Sequence, residues 1–273
     1  MKHNLFDLSG KVVVLTGAPG QLGRQYTEAL LAYGACVAGM DILSGDSETV
    51  KSFLAPHDAG KLIYIQADIT SKPQLASALE KITGKWGKTP SVLINNAALD
   101  SPPSAPVEEN GPFENYPPES LDKVLDVNLK GVVYCCQIFG GAMAKADGGS
   151  IINISSIYGM VSPNQNIYEY RRKKGEIFFK PVGYAVSKSA LFNLTRYLAT
   201  YWAKDRVRVN TLTLAGVFNN QDPRFLDAYC RQIPVGRMAN PDEYNGSIVF
   251  LASDASAYMT GANLVVDGGW TAW

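Results

Sequence analysis

The sequence predicts one α/β domain spanning residues 1–273, a doubly wound, mostly parallel seven-stranded sheet with helices on both faces. Three observations predict it. Short β-branched apolar runs alternate with longer amphipathic segments along the chain, as buried parallel strands alternate with crossover helices. A glycine-rich turn joins the first such run to the first helical segment. No repeat, low-complexity tract or dividing linker interrupts the 273 residues, a length routine for a single α/β domain.

The first strand is read over 11–15, and the helix after it over 24–33. Between them lies Thr16-Gly17-Ala18-Pro19-Gly20-Gln21-Leu22-Gly23. Glycines there let the backbone approach an anion, and the orphan N–H groups and dipole of the helix favour a pyrophosphate. The second strand, 36–40, ends at Asp41 and Ile42. An acid at that place accepts hydrogen bonds from an adenosine ribose and repels a 2′-phosphate, so NAD is favoured over NADP. A polar helix over 46–55 and a strand over 62–66 lead to Asp68 and Ile69. Asp68 either touches an adenine edge or caps the helix read over 73–82.

A fourth strand, 92–94, ends in Asn95-Asn96-Ala97-Ala98, small residues and amides suited to a cofactor crevice. Residues 100–118 read as a long loop over the site, and 121–145 as a helix with Asn128 in its interior. Asparagine disfavours helix interiors, so Asn128 calls for a kink or a bound water. A fifth strand over 150–154 runs into Ser155-Ser156, and a long helix over 184–203 carries Leu191, Leu194, Leu198 and Trp202 as a core or interface stripe. The last elements are a strand over 206–214, a polar segment over 219–230 within a lid at about 216–240, a proline-started helix over 241–251 and a strand over 263–266.

Composition narrows the function. Lys plus Arg number 25 and Asp plus Glu 25, so no net field draws nucleic acid or an anionic membrane. No apolar run reaches the ~18 residues of a membrane span, and the N-terminus lacks the apolar core of a secretory signal. Cys36, Cys135, Cys136 and Cys230 lack metal-ligand spacing and read as reduced thiols. His3 and His57 alone leave no basis for a histidine metal site, and no metal is expected. The chain reads as cytoplasmic.

Chemistry concentrates at Tyr184-Ala185-Val186-Ser187-Lys188 and the preceding Ser155-Ser156. Tyr and Lys four apart share a helix face. An ammonium beside a phenol lowers its pKa from roughly 10, preparing a tyrosine to exchange a proton with an alcohol oxygen that a serine holds.

Together these residues resemble the short-chain dehydrogenase/reductase family over nearly the whole chain. The resemblance rests on Thr16-Gly17 to Gly23, Asn95 to Ala98, Asn128, Ser156, Tyr184-x-x-x-Lys188, Arg208-Val209-Asn210 and the closing Val266-Asp267-Gly268-Gly269. It implies a Rossmann-type fold with Tyr184 as acid/base and Ser156 holding the substrate oxygen. Lys188 is implied to lower the tyrosine pKa and bind the nicotinamide ribose, and Asn128 to anchor a relay water. Cofactor contacts are expected at Gly17, Gly20, Gln21, Leu22, Gly23, Asp41, Ile42, Asp68, Ile69, Asn95, Ala97, Tyr184, Lys188, Gly216 and Val217. A homotetramer or homodimer is implied.

The chain departs from the family pattern in its glycine spacing, in Leu214-Ala215-Gly216 in place of Pro-Gly, and in Asn219 in place of threonine. Its largest departure is an enlarged loop at about 157–183, where Arg171, Arg172, Lys173, Lys174 and Lys180 cluster. That segment reads either as a clamp for an anionic sugar derivative or as a solvated loop. It is similar to a branch acting on bacterial surface-glycan and flagellin-modification sugars. The resulting expectation is an NAD-dependent oxidoreductase acting on a secondary alcohol of a polar, carbohydrate-like small molecule. The alternatives are an NADPH-dependent 3-oxoacyl-[acyl-carrier-protein] reductase and a non-catalytic dinucleotide sensor or scaffold.

Overall fold

A computed structural model describes residues 4–100 and 107–273. Its strands are β1 (Val12–Thr16), β2 (Cys36–Asp41), β3 (Leu62–Gln66), β4 (Val92–Asn95), β5 (Gly149–Ser156), β6 (Val207–Leu214) and β7 (Asn263–Val266). They form one sheet in the order β3-β2-β1-β4-β5-β6-β7, with every pairing parallel. The order reverses beside β1, whose neighbours are β2 and β4. At such a switch point the crossover helices leave to opposite faces and open a crevice beyond the strand carboxyl ends.

One face of the sheet is covered by α1 (Gln21–Ala32), α2 (Glu48–Leu54) and α11 (Asn245–Ala252), which bury Tyr26, Leu30, Phe53, Ile248 and Leu251 against Val13, Leu15, Ile94 and Ile152. The other face is covered by α3 (Lys72–Trp86), the helical run 118–144 and α9 (Val182–Tyr201), with Leu75, Ile82, Phe139 and Leu191 packed on Val14, Leu93 and Ile151. The predicted stripe on α9 is therefore largely core. The expected proline start of the last helix is displaced: residues 241–244 form a turn, and α11 begins at Asn245.

The run 118–144 is not uniform. It comprises α4 (Pro118–Leu125), α5 (Val132–Cys135) and α6 (Gly141–Ala144), joined by π-helical turns at Asp126–Gly131 and Cys136–Gly140. The first π turn contains Asn128, which accounts for an asparagine inside a helix.

A third cluster lies at the carboxyl edge of the sheet, where the enlarged loop meets α10 (Pro223–Cys230). The loop contains α7 (Ile157–Met160) and α8 (Glu169–Arg172). Buried Ile167, Tyr168 and Phe178 anchor it against Phe225, Tyr229 and Trp270. Tyr168 and Phe178 rings lie 4.7 Å apart. Arg171 pairs with Glu176 and covers the Phe178 ring at 4.1 Å, while Arg172 donates to the Phe178 and Gln165 carbonyls. Arg171 and Arg172 thus hold the loop itself together, while Lys173 and Lys174 are exposed. The loop read over 100–118 lies partly on residues 101–106, and the N-terminal reading partly on 1–3, outside the described residues. Among the described residues, no helix is long and apolar enough to cross a membrane.

If this layer belongs to the cooperative core, Phe178→Ala costs about 3 kcal/mol, the usual range for truncating a buried aromatic. Urea denaturation followed by tryptophan fluorescence measures it. A loss under about 1 kcal/mol would mean that the loop opens independently of the sheet.

Candidate active site

Two cavities meet at the carboxyl edge and share Asn96 and Ala98. The first is a crevice of about 910 Å³ over the switch point, lined by Gly17, Gly20, Asp41, Ile42, Asp68, Ile69 and Ala97 among others. Gly17 has φ +67°, and a Cβ there would come within 3.0 Å of Asn96 and Ala97. Gly23 does not line the crevice. A Cβ on it would approach the Gly17 carbonyl to 2.2 Å, so it permits the close packing of α1 against the turn.

Asp41 ends β2 and takes the Leu43 N–H at 3.1 Å. Around it, among the described residues, the crevice carries Asp41, Asp68, Glu119, Asp122 and Asp126 but a single lysine, Lys123. Arg24, the basic side chain at the start of α1, is held away by Pro19, Thr49 and Ser52. The glycine cradle and the strand-end acid fit a dinucleotide.

Besides Gly23, two expected contacts fall elsewhere, while Asp68 lines the crevice. Asn95 is buried and turned into the core, donating to Asn153 Oδ1 at 2.8 Å, and Asn96 faces the crevice in its place. Asn153 continues to Thr195 at 2.9 Å, and Thr195 to Thr211 at 2.8 Å. Gln21 points outward and donates to the Phe218 carbonyl at 2.9 Å, tying α1 to the segment at 216–240. Asp68 does not cap α3. Its carboxylate takes the N–H and hydroxyl of Thr70, closing the turn before Ser71, the N-terminal flanking residue of the helix.

The second cavity, about 660 Å³, holds Ser156, Tyr184 and Lys188, with Leu22, Gly216 and Val217 also on its walls. Ser156 is 9 % exposed and takes the Tyr158 N–H as α7 begins. Lys188 is 4 % exposed, and its ammonium donates to the Ile154 carbonyl at 2.8 Å. It lies 5.8 Å from the centre of the Tyr184 ring.

Asn128 is outside the cavity lining. Its amide accepts the Leu99 N–H at 2.7 Å, returns a bond to the Leu99 carbonyl at 2.8 Å and donates to Ser187 Oγ at 3.1 Å. Ser187 in turn donates to the Tyr184 carbonyl. Asn128 therefore clamps the exit of β4 to the helix carrying Tyr184 and Lys188. Sequence reasoning did not single out Asp100, which lines the same cavity. Its position five residues beyond the end of β4 was the available signal.

The electrostatics differ from the sequence-based expectation. Tyr184 is not lowered in the protein alone; it is raised, first by burial and then by the Asp100 charge, with the Ser156 hydroxyl opposing. Lys188 is lowered to about 8 by burial, against the pull of Asp100. Its ammonium is directed to a carbonyl and not to the phenol, so it does not offset the desolvation of Tyr184. Without cofactor the tyrosine is set as a proton donor.

The family model for short chain dehydrogenases matches residues 11–171. The chain belongs to the short-chain dehydrogenase family. A second model, described as enoyl-(acyl carrier protein) reductase, matches residues 174–271. This short-chain dehydrogenase is 32 % identical to D-threitol dehydrogenase of Mycolicibacterium smegmatis, over 97 % of this chain and 95 % of the relative. It is 30 % identical to NADH-dependent L-xylulose reductase of Ambrosiozyma monospora, over 98 % and 97 %. A solved short chain dehydrogenase from Leptospira borgpetersenii with bound NAD+ superposes with TM-score 0.84 at 30 % identity, covering 99 % of this chain and 97 % of that one. The protein is a nicotinamide-dinucleotide oxidoreductase acting on CH–OH groups.

The depressed Lys188 gives a pH test on the cofactor-free protein. Between pH about 8 and the unfolded lysine value of about 10.4, the unfolded chain binds more protons than the folded one. Stability from this group therefore rises with pH across that window. The stability difference between wild type and Lys188→Met should shift towards wild type by roughly 2 kcal/mol from pH 7.5 to 9.5. A flat difference in paired urea titrations would mean that the ammonium keeps its charge there.

Proposed function

We propose that this short-chain dehydrogenase interconverts a secondary alcohol and a ketone on a polyhydroxy, carbohydrate-like substrate, with NAD as the hydride carrier. The observation that carries this reading is the joining of the Ser156–Tyr184–Lys188 cavity to the acidic, glycine-floored crevice through Asn96 and Ala98. The named relatives act on a tetritol and a pentulose, and the wall of the reaction cavity carries Tyr170, Asn219 and Gln221, which suit hydroxyls.

Bound NAD supplies the hydride acceptor or donor and, when oxidised, a positive ring charge that favours a phenolate. The protein's own residues do the rest. On oxidation the Tyr184 phenolate would take the carbinol O–H proton at Oη while the carbinol carbon gives up its hydride, which the bound cofactor would accept, leaving the carbonyl. Ser156 Oγ holds the reacting oxygen, and Lys188 adds positive charge behind the tyrosine. Asn128 acts as a positioning residue through Leu99 and Ser187. Asp41 would take the adenosine ribose hydroxyls, and Gly17 and Gly20 would let the backbone hold the pyrophosphate. The exposed Tyr197 and Tyr201, stacked at 6.0 Å on the outer face of α9, support a second copy meeting the long helices.

Calorimetric titration tests the cofactor assignment. NADH should bind at least about tenfold more tightly than NADPH, and Asp41→Ala should abolish that preference, as expected for losing a charged hydrogen bond. Preference for NADPH overturns it. Stopped-flow single turnover tests the acid/base: Tyr184→Phe should slow hydride transfer on the order of 10²–10⁴-fold with NADH affinity kept. Transfer at the wild-type rate would remove Tyr184 from the mechanism.

A further inference from the structure

Among the described residues lining the reaction cavity, the charged side chains are Asp100, Lys180, Lys188 and Asp222. Each cation already has an acceptor. Lys188 is bonded to the Ile154 carbonyl. Lys180, whose side chain is 9 % exposed, grips both carboxylate oxygens of Asp100 at 2.5 and 2.7 Å. Asp222 pairs with Arg224 at 2.6 Å. None of Arg171, Arg172, Lys173 or Lys174 reaches this wall, and Lys173 pairs with Glu169. Asp100 remains 48 % exposed, so its carboxylate faces the cavity while its partner ammonium is covered.

The pair is close to the chemistry. Lys180 Nζ lies 5.2 Å from the centre of the Tyr184 ring. Asp100 directly follows Leu99, which Asn128 fixes by both its N–H and its carbonyl. Lys180 is fixed from the other side, its N–H held by Gln165 Oε1 at 2.8 Å and its carbonyl by Gln165 Nε2 at 3.1 Å. A carboxylate carries about four lone-pair sites, so one gripped by a single ammonium can still accept from hydroxyls. A carbon next to the one reacting at Tyr184 would bring its hydroxyl towards this place. An anionic substituent would meet the carboxylate at short range in a partly desolvated pocket, where like charges repel strongly.

We propose that Asp100, held by Lys180, is a specificity-determining residue that accepts hydrogen bonds from hydroxyls beside the reacting carbon. It selects neutral polyols and ketoses over substrates bearing a carboxylate or phosphate. The proposal rests on the alcohol–ketone reading above and narrows its substrate class.

The experiment compares kcat and KM with NAD for D-threitol, D-arabinitol and galactitol against D-gluconate and a sugar phosphate. It uses wild type, Asp100→Asn and Lys180→Gln. Wild type should favour the best neutral polyol over either anion by at least about 100-fold in kcat/KM. Asp100→Asn should raise the polyol KM about 10-fold or more, as for a lost charged hydrogen bond. Its kcat should stay within a few-fold, and the neutral-to-anion ratio should narrow at least tenfold. Lys180→Gln should raise the polyol KM while leaving the anions excluded, because Asp100 stays charged. NADH affinity, measured on every variant, should be unchanged and reports folding.

Calorimetric binding of the same panel to the NAD-loaded Tyr184→Phe protein, with and without Asp100→Asn, reads selectivity without turnover. If wild type binds the neutral panel selectively but transfers no hydride, the catalytic reading fails and this proposal stands. Equal or better use of gluconate by wild type overturns the proposal. So does an Asp100→Asn variant with intact NADH binding and unchanged KM and selectivity.

Discussion

Everything functional in this molecule follows from the direction of its strands. Because β1 to β7 all run parallel, every strand ends at the same edge, and the reversal beside β1 opens that edge into a crevice. The turn after β1 supplies Gly17 and Gly20, the last residue of β2 and those just after β2 and β3 supply Asp41, Ile42, Asp68 and Ile69, and those after β4 supply Asn96 to Asp100. The end of β5 delivers Ser156, and the end of β6 delivers Leu214 to Val217. No single segment holds a site. The sheet assembles one from the ends of β1 to β6, and α9 adds Tyr184 and Lys188.

Within that frame the ionisable groups are arranged by burial more than by pairing. Tyr184 and Lys188 lie one helical turn apart, yet desolvation moves each towards its neutral form; Asp100 reinforces this at the phenol, which keeps its proton, and opposes it at the ammonium. A site so set holds its proton until another charge enters the cavity. In the proposed mechanism, the positive charge of a bound oxidised cofactor would therefore favour the phenolate, more than the tyrosine–lysine spacing alone.

Much of this was legible in the sequence because it is local. Strands read from β-branched runs, the glycine turn and the acid ending β2 are patterns of a few neighbouring residues, and the structure keeps them in place. What escaped is long-range. Asn95 and Asn96 are adjacent and alike, and only the pleat decides that one faces the core and the other the crevice. The arginines of the enlarged loop look like ligands until Phe178 and Gln165 arrive beside them. Asp68 looked like a helix cap because Pro73 follows at a plausible distance, but a threonine two residues on takes its carboxylate first. The π turn at Asn128 has a sequence signal only in the misfit of asparagine to a helix.

The buried bonds linking Asn95, Asn153, Thr195 and Thr211 act on the orientation of α9. Apolar contacts hold a helix against a sheet but are indifferent to its azimuth, whereas hydrogen bonds are directional. Thr195 therefore works as an indexing pin, and Tyr184 lies about three turns away on the same rod, roughly 16 Å along its axis. Catalytic groups tolerate only about 10–20° of misorientation. The aim of the phenol is thus set partly in the core, by a threonine that touches neither cavity.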